Sequence, residues 1–476
     1  MNYVLAILIQ QALFSSFVCA VDDSKNPIVE KSLAFPGAEG FGANATGGRG
    51  GKVLIVDSLA DDSRNAMPGT FRWACESESG PRIVVFGVGG VIELARVVSV
   101  INPDITIAAQ TAPGDGICLK GSGLSIEANN VIVRGLRSRA GDGAVGTSGQ
   151  YRRSLQIIGP VTDIIIDHCT LAWGVDDNIT VYATKDGKAA RNFTIQWCFI
   201  TEGLFGSIHQ QGPHSMATTM GGGNIGPFSF LHNLFAHNNG RNPRIVWGAE
   251  GEFINNVIYN WGNEATIVEP FNPVKVRKEK RRPTEDERRP ARLNFVANQW
   301  IPGPNSAMNR TEVHLKHSTE GTAIYFRDNI GPHRVAGTPQ GENEAGVMNK
   351  VKNAVASASA IIPSNATIET AEAAKAAVLK LAGAIIPARD SVDKRIAQEV
   401  ELNGGKIIDS PVQVGGYPIY PPGNSAKDSD RDGIPDDWEI SHGLNPTKHD
   451  PNRRDLTAIY DNIEVYVNDF FSLKSL

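Results

Sequence analysis

Arg241 and Arg244 bracket Asn242-Pro243 in a four-residue motif, Arg241-Asn242-Pro243-Arg244. Pro243 fixes its own φ and biases Asn242 towards extended geometry, so both guanidiniums leave a stiff frame. Guanidinium forks match carboxylates in paired hydrogen bonds, which points to an anionic ligand. Ahead of them come Asp142, Asp167-His168, Asp176-Asp177, Glu202, His209 and His214. Carboxylates that converge on one side of a fold either bind a hard cation or do acid–base work. Each residue also has a plainer use: surface ion pairs for the arginines, turn caps for the aspartates, a buried and satisfied site for His168.

A second constellation lies near the C-terminus, in Asp428-Ser-Asp430-Arg-Asp432-Gly433-Ile434-Pro-Asp436-Asp437-Trp-Glu439. Asp428, Asp430, Asp432, Asp436 and Glu439 take the acidic slots of a calcium loop, and Gly433 takes its glycine slot. The preceding Val414–Gly423 is rich in Gly and Pro, so no helix is expected before the loop. The segment reads as half an EF-hand that holds Ca²⁺ and pins the tail.

The elements that must position the first constellation are short strands. Apolar runs recur at Lys52–Leu59, Ile83–Phe86, Ile105–Ala108, Val131–Arg134, Ile164–Asp167, Phe193–Trp197, Phe228–Leu231, Glu252–Asn255, Leu293–Val296 and Ala323–Phe326. Turn-rich segments of unequal length separate them, without the intervening helices a doubly wound fold needs. One-strand units with loops inserted at will predict an all-β, right-handed parallel β-helix solenoid with short capping helices and a small C-terminal calcium-loop segment. Superposing the strands sets Cys169 beside Cys198, and Asn233, Asn256 and Asn298 at matching turns. Stacked amides there would satisfy turn carbonyls that no strand reaches. Gly69–Glu76 reads as a short helix capping one end of the solenoid. Ala371–Leu381 and Asp390–Val400 have helical spacing and are expected on the outside or end of the solenoid, covering an edge. Lys275–Arg292 is a dense mixed-charge run, read as a solvated insertion.

The N-terminus reads as an export signal: an apolar Tyr3–Val18 too short to span a bilayer, then Val18-Cys19-Ala20. No later stretch is long and apolar enough to cross a membrane, so a secreted, soluble protein is expected. Four cysteines remain in the mature chain, too few for a disulfide scaffold. Sequons at Asn44, Asn178, Asn192, Asn309 and Asn365 make it a candidate glycoprotein. Net charge is −5 with dispersed basic residues, which argues against a nucleic-acid partner. The expected organisation is a signal at 1–20, a catalytic β-helix at 21–345 and an Ala-rich helical segment at 346–413. A linker at 414–427 and the calcium loop with its tail at 428–476 complete a monomer.

Taken together, AFPGAEGFG (Ala34–Gly42), AQTAPGDGI (Ala109–Ile117), IDHCT (Ile166–Thr170), WGVDDN (Trp173–Asn178) and RNPR (Arg241–Arg244) resemble the pectate lyase superfamily of parallel β-helix polysaccharide lyases. The resemblance runs from Ala34 to Gly331 and more loosely through Ala382–Tyr420. It implies calcium-assisted β-elimination of α-1,4-polygalacturonate in plant cell walls, with an arginine as base. Arg241 matches that base, and Arg244 matches the second arginine, which orients the site or binds substrate. Asp142, Asp176 and Asp177 are the candidate ligands of an active-site calcium. The chain departs from the family at three places. Val246 stands where a further arginine is usual, and Arg152-Arg153-Ser154 where a calcium-binding Asp is usual. His214 stands where a substrate-binding lysine is usual, and is carried as a substrate-binding candidate. Two alternatives stay open: a β-helix glycoside hydrolase using paired carboxylates, and a non-catalytic polysaccharide-binding protein.

Overall fold

The computed structural model describes residues 32–270, 277, 278, 280, 282, 289–338, 346–350, 354–421 and 423–472. The expected export signal and most of the charged run lie outside the described residues. Three parallel sheets form, one of eleven strands and two of eight, and the chain visits each in turn as it winds. The parallel β-helix expected from the strand rhythm is the fold. Every strand read from the sequence belongs to the eleven-stranded sheet, which runs from Lys52–Val56 to Ala354–Ala356. The other two sheets consist of strands as short as Thr170–Ala172 and Arg244–Val246, inside segments the sequence presents as turns.

A repeated corner holds the coils in register. His168, Trp197, His232, Asn255, Ala297 and Asp328 all have φ between 48° and 57°, in the left-handed region. Each is followed by a residue that stacks along the axis. Asn233 Nδ2 donates to Asn256 Oδ1 at 3.0 Å, Asn256 to Asn298 at 3.0 Å and Asn298 to Asn329 at 2.9 Å. The same amides reach strand carbonyls, as Asn233 does to Ile195 O at 2.8 Å. Cys169 and Cys198 continue this ladder as buried free thiols. Inside, Phe193, Phe228, Phe253, Phe295 and Phe326 contact one another from coil to coil with centroids 4.9 to 6.1 Å apart, edge-on between Phe228 and Phe253. Truncating one of them to Ala would cost about 3–5 kcal/mol.

Helices cover two of the three faces. Helix α1 (Ala371–Leu381) and helix α2 (Ser391–Glu401) start at Thr370 and Asp390, whose side chains cap them. Their Val378, Val392, Ile396 and Val400 pack on Phe199, Leu234, Ala236, Val257 and Tyr259, the outer face of one eight-stranded sheet. They therefore cover a face, not the strand edge expected from the sequence, because their apolar stripe matches a broad apolar surface. Arg139 is buried there between Asp390 and Asp393. In the tail, Ile434, helix α3 (Asp436–Ser441) and helix α4 (Asn462–Ser472) lie on the eleven-stranded sheet, where Ile463, Tyr466 and Val467 meet Ile83, Val85 and Ala108. The helix expected at Gly69–Glu76 forms as a short helical segment, in which Phe71 and Arg72 lead into a π-helical turn at Trp73–Ser77. No helix among the described residues is long and apolar enough to cross a membrane. Of the sequons, Asn178 is buried with its amide bonded to Gly174 N and Thr201 O, so it offers no site for a glycan.

Candidate active site

The second eight-stranded sheet carries the polar side chains on its outer face. Thr180, Thr219, Arg244, Ile267 and His314 stand in one register row across successive coils. Side chains alternate along a strand, so Val181, Met220, Ile245, Val268 and Leu315 point inward and are buried. Val246 therefore faces outward two positions from Arg244, paired in register with Glu269.

Arg241 occupies the corner just before strand Arg244–Val246, at φ 59°. A non-glycine residue in the left-handed region is uncommon and is held there by its surroundings. Here the Arg241 carbonyl accepts from Thr218 N at 2.9 Å. Its Nη1 donates to Asp177 Oδ1 at 3.0 Å and to Thr219 Oγ1 at 3.1 Å. Burial draws the Arg241 guanidinium down, but Asp177 and Asp176 outweigh burial, so it stands above the ordinary arginine value. Arg241 is a cation with 22% of its side chain exposed to the groove.

Both aspartates of the Asp176-Asp177 pair have protein partners. Asp177 Oδ1 accepts from Thr219 Oγ1 at 2.8 Å as well as from Arg241, and Oδ2 accepts from Thr180 Oγ1 at 3.3 Å. Asp176 Oδ2 pairs with Arg153 Nη2. Burial and the charge of Asp177 push Asp176 above the usual carboxylate range, against the pull of Arg153 and Arg241. On its far side lie His209, with Nε2 4.0 Å from Asp176 Oδ1, and His214, whose ring stacks on His209 at 3.5 Å. Burial, His214, Arg153 and Arg241 hold His209 below the ordinary histidine value, so it is neutral at neutral pH.

Asp176, His209 and His214 offer donor atoms within 4.8 Å of one another. Asp142 is outside that cluster; it acts instead on Arg152 and Tyr417, and Arg152 Nη1 holds the carbonyls of Gly141 and Gly143. The expected calcium donor set of Asp142, Asp176 and Asp177 does not assemble. Calcium takes six to eight oxygens, whereas this cluster offers one free carboxylate oxygen and two imidazoles. The imidazoles are a poor pair as well. Backbone N–H of Gln211 donates to His209 Nδ1, so the ring proton sits on Nε2, facing Asp176. His214 donates from Nδ1 to Gly212 O, which leaves a single imidazole lone pair on its Nε2. The groove residues do not fit calcium.

Beyond Arg241 a pocket of about 260 Å³ is lined by Arg241, Arg244, Asn239, Glu264, Glu269 and Lys316. Arg244 pairs with Glu269. Glu264 is shared by Arg310, by His314 Nδ1 at 3.1 Å and by Lys316 Nζ at 2.7 Å. Burial, Lys316 and Arg310 push His314 down to about 4, so two cations share one carboxylate there. The sequence reading missed Lys316, Arg310, Glu264 and Glu269. Only the spacing of the short strands could have revealed them. Arg153 was visible to it only as a departure. The larger cavities, about 620 and 680 Å³, lie under the tail and beside the C-terminal loop, away from these groups.

The C-terminal loop is the opposite case. Asp428, Asp430 and Asp432 each spend one oxygen on loop N–H groups, those of Gly433, Asp432 and Ile434. Asp428 Oδ1, Asp430 Oδ2, Asp432 Oδ2 and both oxygens of Glu439 are buried without a partner. Burial and mutual repulsion push Asp432 up to about 6 and Glu439 up to about 7. Buried charges left unpaired are costly, and a hard cation resolves all of them together. These residues fit calcium. Asp436 stands apart, with Lys427 Nζ at 2.7 Å and Ser429 N at 2.7 Å holding it down to about 2.

No family model matches the chain. Full-length relatives do. A probable pectate lyase C of Aspergillus flavus is 34% identical over 441 residues, 92% of this chain and 93% of that one. A probable pectate lyase C of Aspergillus fumigatus is 33% identical over 470 residues, 97% of each. Among solved structures, a variant pectate lyase of Bacillus subtilis aligns with TM-score 0.48 and 14% identity, over 73% of this chain and 96% of that one.

Proposed function

The chain belongs to the pectate lyase family, and from that premise we propose that it cleaves α-1,4-polygalacturonate by β-elimination at Arg241. The observation that carries the proposal is the placement of Arg241. It is fixed at a strained corner and held by Asp177 and Thr219, beside a groove that also carries Arg244, Lys316 and Arg310. A uronate carboxylate in that groove meets guanidiniums whose geometry suits it. Its C5–H bond is acidified as those cations neutralise the carboxylate. The C5 proton passes to Arg241 in its neutral form, the C4–C5 double bond forms, and the C4–O bond breaks. The departing oxygen takes a proton from water.

Asp177 opposes this by keeping Arg241 protonated. Guanidinium deprotonates with difficulty, so the neutral base gains population only as pH rises. Arg244 orients the substrate from its anchor on Glu269, and His214, stacked on His209 near Asp176, serves as a further substrate contact. Calcium, where it binds, is held by Asp428, Asp430, Asp432 and Glu439, and it would supply charge neutralisation that fastens the tail. The apolar N-terminus supports secretion, which suits a cell-wall polysaccharide. Polygalacturonate digested at alkaline pH should yield unsaturated ends, seen as a rise in ultraviolet absorbance. No rise under any condition would refute the proposal.

A further inference from the structure

The groove pairs two carboxylates with guanidiniums and the C-terminal loop leaves four without a cation, so their charge balance differs. In the groove, Asp176 is matched by Arg153 and Asp177 by Arg241. Two carboxylates and two guanidiniums sum to zero, so the field there does not draw a divalent cation. Asp177 has both oxygens bonded, and Asp176 has one taken by Arg153. In the loop, Asp428, Asp430, Asp432 and Glu439 carry buried oxygens without partners. The nearby Arg431 is largely exposed and turned to Asp57.

We propose that Arg153 takes the place of a divalent cation in the groove: it neutralises Asp176 as Arg241 neutralises Asp177, cleavage needs no metal ion, and the chain's one ion sits in the C-terminal loop. The half of this concerning cleavage rests on the elimination reading above; the half concerning ion number does not. Arg153 is suited to the part. Its side chain is 14% exposed, and its Nη2 reaches Asp176 and, at 3.5 Å, Gln150 O. Its buried Nε has no partner among the described residues, so the guanidinium keeps donor capacity beside the groove. It acts on the reaction through Asp176 and is a positioning residue. An aspartate near this point would add a third carboxylate to Asp176 and Asp177 and reverse the balance. The chain has Arg152 and Arg153 there instead.

The test counts ions and measures cleavage separately. Calcium titrated calorimetrically into the full chain should bind at one site. Cleavage in excess chelator, well below the melting temperature, should change by less than about twofold. Arg153→Asp should gain a second calcium site, with a dissociation constant of about 1 mM or tighter. Two ions on the wild-type chain, loss of cleavage on chelation, or a folded Arg153→Asp that gains no ion would each overturn the proposal. Should Arg153→Asp fail to fold, the wild-type count and the chelated rate decide. Should the wild type cleave nothing with or without calcium, the elimination reading fails, and the ion count alone decides this one.

Discussion

Two acidic clusters in this chain differ in what partners their oxygens. Asp176 and Asp177 are answered by Arg153, Arg241, Thr180 and Thr219. Asp428, Asp430 and Asp432 are answered only by their own loop's N–H groups, with an oxygen left over on each, and both oxygens of Glu439 are left over among the described residues. A row of acidic residues in a sequence does not say which of these it will become. The deciding factor is whether the fold brings guanidiniums to the carboxylates, which depends on coils far apart in the chain.

The largest expected effect separates the clusters by function. Arg241→Ala should lower the cleavage rate about a thousandfold, the scale of losing a positioned base. Calcium uptake should be untouched, because the loop is on another face; a parallel loss of calcium binding would break the comparison. Next in size is the loop itself. Glu439→Ala should abolish calcium's stabilisation, about 3 kcal/mol when the ion is in hundredfold excess over its dissociation constant. Thermal melts with and without calcium, followed by circular dichroism, would show it. The coupling to pH has a definite sign. Without calcium, Asp432 and Glu439 stand at about 6 and 7, so the folded loop holds more protons than the unfolded chain above the ordinary carboxylate range. The ion-free tail therefore loses stability as pH rises through 7, while calcium affinity rises over the same window. Melts in chelator that grew more stable from pH 6 to pH 8 would contradict this.

Much of this was readable in advance, but unevenly. Ten strands of the eleven-stranded sheet display an apolar pattern in the sequence, whereas the eleventh, Ala354–Ala356, is three residues long and lies in the segment expected to be helical. The Asn233, Asn256 and Asn298 ladder showed itself because one residue type recurs at one corner. The two other sheets did not, since a strand such as Arg244–Val246 is too short to carry a period. In the site, Arg241 and Arg244 were legible from their motif. Arg153 was seen only as a departure, and Glu264, Lys316 and Arg310 were not seen at all. Loops of unequal length hide which residues of successive coils become neighbours. Asp142 was misplaced for the same reason: nothing local says that Arg152 will wrap its flanking carbonyls.

Smaller effects sharpen the groove's side of the comparison. Asp177→Asn removes the charge that keeps Arg241 protonated, so the alkaline rise in cleavage should begin at lower pH. A pH–rate profile with an unmoved limb would show that Arg241 does not titrate in the reaction. Lys316→Ala should raise KM for polygalacturonate severalfold with little change in kcat, about the 1 kcal/mol scale of a partly exposed charge. An equal fall in kcat would move Lys316 from substrate binding into the chemistry.

The most direct test of elimination at Arg241 counts two products of one digestion. Polygalacturonate cut by the wild-type chain should give one unsaturated uronate, read by ultraviolet absorbance, for every new reducing end, and Arg241→Ala should give neither. Reducing ends that appear without the absorbance, or a yield that survives Arg241→Ala, would contradict the account.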